Sequence, residues 1–154
     1  MLNVVLVRPE IPWNTGNVGR TCSAAGARLH LIAPLGFSLS ERRLRRAGLD
    51  YWERLAPTVH DSVDAFLAAL PADADVHAFS AEAARPHWDA DYRADSWLVF
   101  GSESSGLPAE LRERWRARLL RVPMADGARS LNLSTAAAVA LYEALRVVSV
   151  RVGK

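Results

Sequence analysis

Residues 97–108 read Trp-Leu-Val-Phe-Gly-Ser-Glu-Ser-Ser-Gly-Leu-Pro, and this stretch indicates the class of fold. The first four residues are apolar, as in a short buried strand, and Pro108 stands where a following helix would begin. Between them lies a polar loop bounded by Gly101 and Gly106, residues whose backbone can come close to a ligand. In proteins built from strand–helix units, ligands bind in the loops after the carboxyl ends of strands. The stretch therefore predicts an α/β unit with a binding site in its loop.

Two further stretches repeat this order of an apolar run followed by a glycine-bearing loop. Residues 2–7 precede the loop 14–20, and residues 119–122 precede the loop 122–134. The other predicted strands are 29–33 and 75–79. Helices are expected near 14–26, 38–47, 61–70, 108–117 and 132–148. Residues 80–95 are expected to be irregular. The alternation predicts a single α/β domain, residues 1–154, with a mostly parallel sheet flanked by helices.

The composition is that of a globular protein. Of the 154 residues, 50% are hydrophobic and 23% are charged, and a chain of this length can bury a core of its own. The apolar N-terminal run is far shorter than the ~18 residues that a membrane span needs, and we expect no other segment to qualify. The single cysteine, Cys22, excludes internal disulfides and is typical of a reducing compartment. We therefore expect a soluble, cytoplasmic protein with no membrane partner.

Arginine supplies nearly all of the positive charge. The formal net charge is +2, and every basic residue except Lys154 is arginine. Arginine suits phosphate and can stack on bases, so this composition permits nucleic-acid binding, although a coding bias would also produce it. Arg42, Arg43, Arg45 and Arg46 follow a predicted strand end within about one and a half helical turns. Their mutual repulsion favours contact with phosphates, and a solvated surface is the alternative.

Several familiar motifs of binding and catalysis are missing from the sequence. The loop with Gly16 and Gly19 lacks the first glycine of the dinucleotide fingerprint, and no Gly-Lys-Ser/Thr phosphate loop occurs. Residues 101–106 do not form a nucleophile elbow, because Glu103 stands where that motif needs serine. The four histidines are neither spaced as metal ligands nor near the cysteine, so we expect no metal. The polar residues of the three loops are left as the candidates.

Two helical patterns point to partners. Asn14, Asn17 and Arg20 recur every three residues and share a helix face. An arginine there needs an anionic partner, which is either a phosphate or a protein carboxylate such as Glu103. Residues 135–145 are apolar or small almost all round, as in a helix buried on several sides. The second surface that covers this helix is either another subunit or the rest of the same chain.

The three loops together carry a family resemblance. They read Asn-x-Gly-Asn-x-x-Arg at 14–20, Phe-Gly-x-Glu-x-x-Gly-Leu-Pro at 100–108, and Val-Pro-Met at 122–124 followed by Arg-Ser-Leu-Asn-Leu-Ser at 129–134. Because of the order and spacing of these three motifs, the chain resembles the SpoU/TrmH branch of the SPOUT RNA methyltransferases along essentially its whole length. The short chain and residues 42–51 resemble the minimal subgroup called TrmL. Trp13 departs from the pattern, since a second proline is expected there, and Ser102 and Ser105 fill variable places.

This resemblance implies a fold, an assembly and a reaction. The family fold is an α/β sheet with a C-terminal deep trefoil knot, and family members are homodimers. Members of the minimal subgroup use S-adenosylmethionine, without a metal, to methylate the ribose 2′-hydroxyl of the wobble nucleotide of tRNA, a cytidine or a modified uridine. The alternatives are ribose methylation at another tRNA or ribosomal RNA site, and a catalytically inert RNA-binding module. The joint presence of Arg20, Glu103 and Asn132 favours an enzyme.

The resemblance also implies roles for particular residues. The predicted cofactor-binding residues are Phe79, Gly101, Val122, Met124 and Ser130. The predicted catalytic residues are Arg20, Asn17, Glu103 and Asn132, and the predicted RNA-binding residues are Arg42, Arg43, Arg45, Arg46 and Arg129. Arg20 matches the family's arginine at the target hydroxyl, and the residues expected to shape this site and hold Arg20 are Asn17, Glu103, Ser130 and Asn132. Arginine stays protonated at neutral pH and is a poor base, so we expect Arg20 to orient the ribose and stabilise the developing alkoxide.

Overall fold

The computed structural model describes residues 1–39 and 49–151, with side chains from residue 52 onward in the second range. Within these residues, six strands form one sheet in which every pairing is parallel. The strands are β1 (Asn3–Val7), β2 (Arg28–Ile32), β3 (Thr58–His60), β4 (Val76–Phe79), β5 (Trp97–Phe100) and β6 (Leu119–Leu120). Their order across the sheet is β3-β2-β1-β5-β4-β6. The predicted α/β class with a parallel sheet is confirmed.

Helices cover both faces of the sheet. They are α1 (Pro12–Ala25), α2 (Leu49–Leu55), α3 (Val63–Ala69), α4 (Ala109–Arg114) and α5 (Leu133–Arg151), with short 3-10 turns at His87–Asp89 and Arg116–Arg118. Side chains alternate along β1, so Val4 and Leu6 join the core under α1 and α5, whereas Val5 and Val7 join the core under α3 and α4. The strand is buried on both faces, which is why residues 4–7 are apolar without a break.

The parallel arrangement determines where the motif loops meet. Because all six strands run in the same direction, the segments after β1, β4, β5 and β6 leave the sheet at one edge. After β6, the N–H of Arg121 donates to the carbonyl oxygen of Arg85, and the N–H of His87 donates to the carbonyl oxygen of Arg121. The chain then returns to the other side of the sheet, where α5 packs on α1. The knot that the family resemblance implies for this region stays a prediction.

Two elements of this fold are not predicted from the sequence. They are β3, whose three residues are too few for a clear alternating pattern, and α2, which has seven residues. Tertiary packing holds α2, since a Cβ on Gly19 of α1 would lie 2.7 Å from the ring of Trp52. Most of the helix expected at 38–47 lies outside the described residues, and residues 38 and 39 are not helical. Residues 80–95 are irregular apart from one 3-10 turn, as expected.

α5 shows how the apolar C-terminal segment is used. By length and composition alone this helix could cross a membrane, so the expectation that no segment qualifies is wrong. In the fold it packs against α1 and β5. The residues that it buries in the core are Ala137, Ala140, Leu141 and Ala144. Val139 and Tyr142 are 40% and 50% exposed, so this chain covers one stripe of α5 and leaves apolar groups on its outer side.

Candidate active site

A cleft of about 530 Å³ opens at the edge of the sheet where β4 and β5 end. Its walls come from the loops of the second and third sequence motifs and from the start of α1. All five residues predicted to bind the cofactor line this cleft: Phe79, Gly101, Val122, Met124 and Ser130. Glu103, Arg129 and Asn132 line it as well. The structure therefore brings most of the predicted site residues to one place.

Two glycines shape the loop that follows β5. A Cβ on Gly101 would overlap the backbone of Gly106 and Leu107, so no larger residue fits there without opening the loop. Gly106 has a φ of +65°, in the left-handed region that favours glycine. The backbone N–H of Ser102 donates to the carbonyl oxygen of Gly106, and the N–H of Gly106 donates to that of Ser102, at 3.2 and 3.0 Å. The loop is therefore a closed turn that forms a fixed wall of the cleft.

Glu103 connects this turn to the start of α1. Its Oε2 accepts a hydrogen bond from the backbone N–H of Glu10 at 2.7 Å. Its Oε1 accepts from the N–H of Ile11 at 3.0 Å and from Nδ2 of Asn14 at 3.1 Å. α1 begins at Pro12 and receives no side-chain cap from the residue before it. The Glu103 carboxylate therefore serves the donors at this helix start, where a negative charge is also favourable.

Asn14 extends the hydrogen-bond network to the third motif. It is 5% exposed, and its Oδ1 accepts from Nδ2 of Asn132 at 2.9 Å. Oδ1 of Asn132 accepts in turn from the N–H groups of Ser134 (2.9 Å) and Thr135 (3.3 Å) at the start of α5. The chain Glu103–Asn14–Asn132 thus joins all three motif loops. Asn14 belongs to the polar row predicted for α1 but is not among the predicted site residues, and its place in the first motif is the signal that could have found it.

Phe79 and Phe100 form the apolar floor of the cleft. They are paired at the ends of β4 and β5, and their rings stack with centroids 4.5 Å apart and an angle of 18° between planes. Val122 and Met124 are half-buried, whereas Ser130 is exposed. A cleft with an aromatic floor and walls formed by glycine- and serine-containing loops suits a flat heteroaromatic ligand.

Arg20 and Asn17 lie outside the lining of the cleft, on the exposed side of α1. Among the described residues, Arg20 takes part in no ion pair. The alternative in which Glu103 is its structural partner is wrong, because the Glu103 oxygens accept from donors at the start of α1 instead. Glu103 and Asn132 shape the site through Asn14, without a hydrogen bond to Arg20 in this chain. The other predicted RNA-binding residues, Arg42, Arg43, Arg45 and Arg46, lie outside the described residues.

The histidines and the cysteine lie away from this chemistry. Residues 1–39 and 52–151, whose side chains the structure describes, contain no group of three side chains placed to hold a metal ion, and the absence of a metal stays a prediction. Nδ1 of His30 lies 3.2 Å from Nε2 of His60, and burial lowers the pKa of His30 to about 4, so its ring is neutral. Nε2 of His77 lies 2.9 Å from the carboxylate of Asp75. Burial raises the pKa of the Cys22 thiol to about 12, which makes it an unreactive core residue.

Known sequences place this site in a family. A model of the SpoU rRNA Methylase family matches residues 1–142. A protein of Burkholderia cenocepacia named tRNA (cytidine(34)-2′-O)-methyltransferase is 52% identical over 148 residues, which are 95% of each chain. A protein of the same name from Saccharophagus degradans is 47% identical over 147 residues, again 95% of each chain.

Solved structures agree with the sequence matches. One, from work on the 2-OH methylation of C/U34 on tRNA, has a TM-score of 0.91 and 52% identity and covers 96% of this chain and 95% of its own. The AdoMet-bound rRNA methyltransferase from Sinorhizobium meliloti has a TM-score of 0.83 and 30% identity and covers 94% of this chain and 56% of its own. Sequence and fold are therefore shared over nearly the entire length, and the chain belongs to the SpoU rRNA Methylase family.

Proposed function

We propose that this chain is a tRNA (cytidine/uridine) 2′-O-methyltransferase that transfers a methyl group from S-adenosylmethionine to the ribose of nucleotide 34, the wobble nucleotide. The observation that carries the proposal is the Glu103–Asn14–Asn132 network, which assembles the three family motifs around one cleft. Identity of 52% to a relative of that name over 95% of both chains supports the choice of nucleotide. The domain, residues 1–154, acts in the cytoplasm with tRNA as its partner.

The chemistry of the cleft walls fits S-adenosylmethionine. Phe79 and Val122 offer apolar contacts for the adenine ring, and Ser130 offers a hydroxyl at the rim. The backbone near Gly101 and Met124 offers donors and acceptors for the edge of the ring. When bound, the cofactor supplies an electrophilic methyl group on its sulfonium. Methyl transfer from a sulfonium to a hydroxyl requires no metal ion.

Arg20 acts on the ribose. An in-line displacement needs the 2′-oxygen held close to the methyl carbon and its developing negative charge stabilised. Arg20 and Asn17, which lies nearly one turn earlier, are both exposed on the same side of α1. Because arginine stays protonated at neutral pH, Arg20 orients and stabilises the oxygen and is not its proton acceptor. Glu103 and Asn132 are positioning residues, since they hold the loops through Asn14.

Mass-spectrometric mapping of ribose methylation in total RNA, with and without this protein, tests the proposal. The expected result is a methylated ribose at nucleotide 34 of some tRNAs that disappears when the protein is absent. Loss of a methyl group from ribosomal RNA or from another tRNA position would contradict the assigned nucleotide. An unchanged methylation map would favour an inert RNA-binding module.

Replacing Arg42, Arg43, Arg45 and Arg46 together by alanine should weaken tRNA binding and flatten its dependence on salt. Each lost phosphate contact lowers the slope of log affinity against log salt by about 0.7 to 0.9, because fewer counterions are released. Fluorescence anisotropy across a salt series measures this slope, and the affinity for S-adenosylmethionine should stay unchanged. The exposed Arg129 at the cleft rim should add a further contact of the same kind. An unaltered slope in the fourfold variant would assign the four arginines to a solvated surface.

The exposed apolar side of α5 should be the centre of a homodimer interface. Val139 and Tyr142 are 40% and 50% exposed there, and a twofold contact would cover the same patch on both copies. The protein should sediment as a dimer at micromolar concentration, and Val139→Glu should shift it to a monomer because the new carboxylates would be buried unpaired. Val59→Glu, at a valine 43% exposed on the edge strand β3, is the matched control and should remain dimeric. A wild-type monomer with full activity would refute the interface.

A further inference from the structure

Trp13 is a large aromatic side chain that the core of the fold does not use. It is 49% exposed. It belongs to neither apolar core, and it makes no ring contact with the residues that the structure describes. Tryptophan offers a large apolar area together with a polar N–H, and such exposed groups are typical of binding surfaces. The packing of this chain therefore gives no reason for an indole at this position.

The start of α1 does not require Trp13 either. Pro12 occupies the first helical position, where its fixed φ suits the helix. The donors just ahead of the helix are served by Glu103 from another loop. Trp13 follows Pro12 without capping any of these groups, and tryptophan is a weaker helix former than alanine or glutamine. Local structure thus gives no reason for the indole.

The placement of Trp13 relates it to the residues of the proposed chemistry. Trp13, Asn17 and Arg20 stand at i, i+4 and i+7, so they lie along one side of α1, and all three are exposed. We call this row the α1 stripe. With a rise of about 1.5 Å per residue, the stripe is about 10 Å long. Its Trp13 end lies between Ile11 and Asn14, which both line the cleft.

We propose that Trp13 is a stacking platform for an unpaired nucleobase of the RNA substrate, at or next to the nucleotide whose ribose is methylated. The inference rests on the proposed function. Proteins recognise unpaired loops of RNA by stacking splayed bases on aromatic side chains, while arginines contact the phosphates. The α1 stripe offers both groups, with Trp13 at one end and Arg20 at the other.

Charge complementarity favours RNA over an apolar protein surface as the occupant of the stripe. Among the described residues Arg20 takes part in no ion pair, so an apolar protein surface laid over the stripe would have to desolvate an uncompensated guanidinium. An RNA strand supplies a phosphate charge at the Arg20 end and the flat face of a nucleobase at the Trp13 end. A single nucleic-acid strand therefore satisfies both ends of the stripe.

Trp13→Ala, Trp13→Phe and Trp88→Ala test the proposal with an anticodon stem–loop RNA and full-length protein. Trp13→Ala should raise the Kd for this RNA and the KM for methyl transfer about ten- to a hundredfold, the range of one lost base–aromatic stack. Trp13→Phe should recover most of the affinity, because a phenyl ring keeps a stacking face. Trp88 is 55% exposed and lies off the stripe, so Trp88→Ala is the matched control and should bind RNA like the wild type. The affinity of all three variants for S-adenosylmethionine should equal that of the wild type.

An abasic RNA series identifies the stacked base. The stem–loop is made with an abasic residue at nucleotide 34 or at either neighbour, and wild-type protein should lose affinity at one of these positions. On that RNA, Trp13→Ala should bind with the same Kd as the wild type, because the base that would stack on Trp13 is already missing. Equal Kd values for wild type and Trp13→Ala on intact RNA, or dissociation of Trp13→Ala into monomers, would overturn the stacking role. If the wild type bound the RNA but methylated none, the proposed function would fail, and the binding series would still decide the role of Trp13.

Discussion

Replacing Arg20 by alanine should lower the single-turnover rate of methyl transfer to tRNA by at least about a hundredfold. That factor corresponds to ~3 kcal/mol of transition-state stabilisation, which is typical for the loss of one donor aimed at a developing oxyanion. The fold should survive, because Arg20 is exposed and takes part in none of the ion pairs of the described residues. The affinity for S-adenosylmethionine should survive as well, because Arg20 does not line the cleft.

Two further variants make this result specific. Arg20→Lys should recover little activity, because one ammonium group cannot reproduce the planar pair of donors of a guanidinium. Arg114→Ala, at an exposed arginine on α4, is the matched control and should transfer methyl groups at the wild-type rate. The rates are measured by transfer of labelled methyl to tRNA with enzyme in excess. If Arg20→Ala keeps more than about a tenth of the wild-type rate, Arg20 is not the group that stabilises the reacting oxygen.

The parallel sheet could be predicted because its signal is local. β1 and β5 are buried on both faces, so residues 4–7 and 97–100 each form an unbroken apolar run that polar residues follow. The glycines at 101 and 106 could be assigned to a tight loop for a similar reason, since only a missing Cβ allows that turn. Together these signals place a cleft at the carboxyl edge of the sheet, where the structure has it.

The contacts that hold the site together could not be predicted in this way. Glu103 and Asn132 lie 89 and 118 positions from Asn14, their common partner. No periodicity or turn propensity carries information over such distances, and only the matched order of three motifs indicated that these residues meet. The helix α2 escaped prediction for a related physical reason, because its seven residues depend on packing against Gly19 rather than on their own propensity.

The same long-range network gives Glu103 a structural role in the site. Glu103→Ala should lower the free energy of unfolding by about 2–4 kcal/mol, because donors on Glu10, Ile11 and Asn14 all lose a charged acceptor. The loss of the hydrogen bond to Asn14 should contribute most to this destabilisation. Asn14 is 5% exposed, so water cannot readily replace the Glu103 carboxylate as its partner. The affinity for S-adenosylmethionine should fall too, as the wall of the cleft loses its connection to α1.

Glu103→Gln separates the charge from the shape. The amide keeps one oxygen as an acceptor for Ile11 and Asn14 but turns an N–H₂ group towards the N–H of Glu10. The free energy of unfolding should therefore fall by about 1–2 kcal/mol. Glu113→Ala, which removes an exposed partner of Arg116 at 3.7 Å, should change stability by less than about 0.5 kcal/mol. Urea unfolding at one fixed protein concentration ranks the three variants. If Glu103→Ala loses the most stability, Glu103→Gln less and Glu113→Ala least, the Glu103 carboxylate stabilises the contact between the loop and α1. Equal stability of all three variants would mean that water replaces the carboxylate without loss of stability.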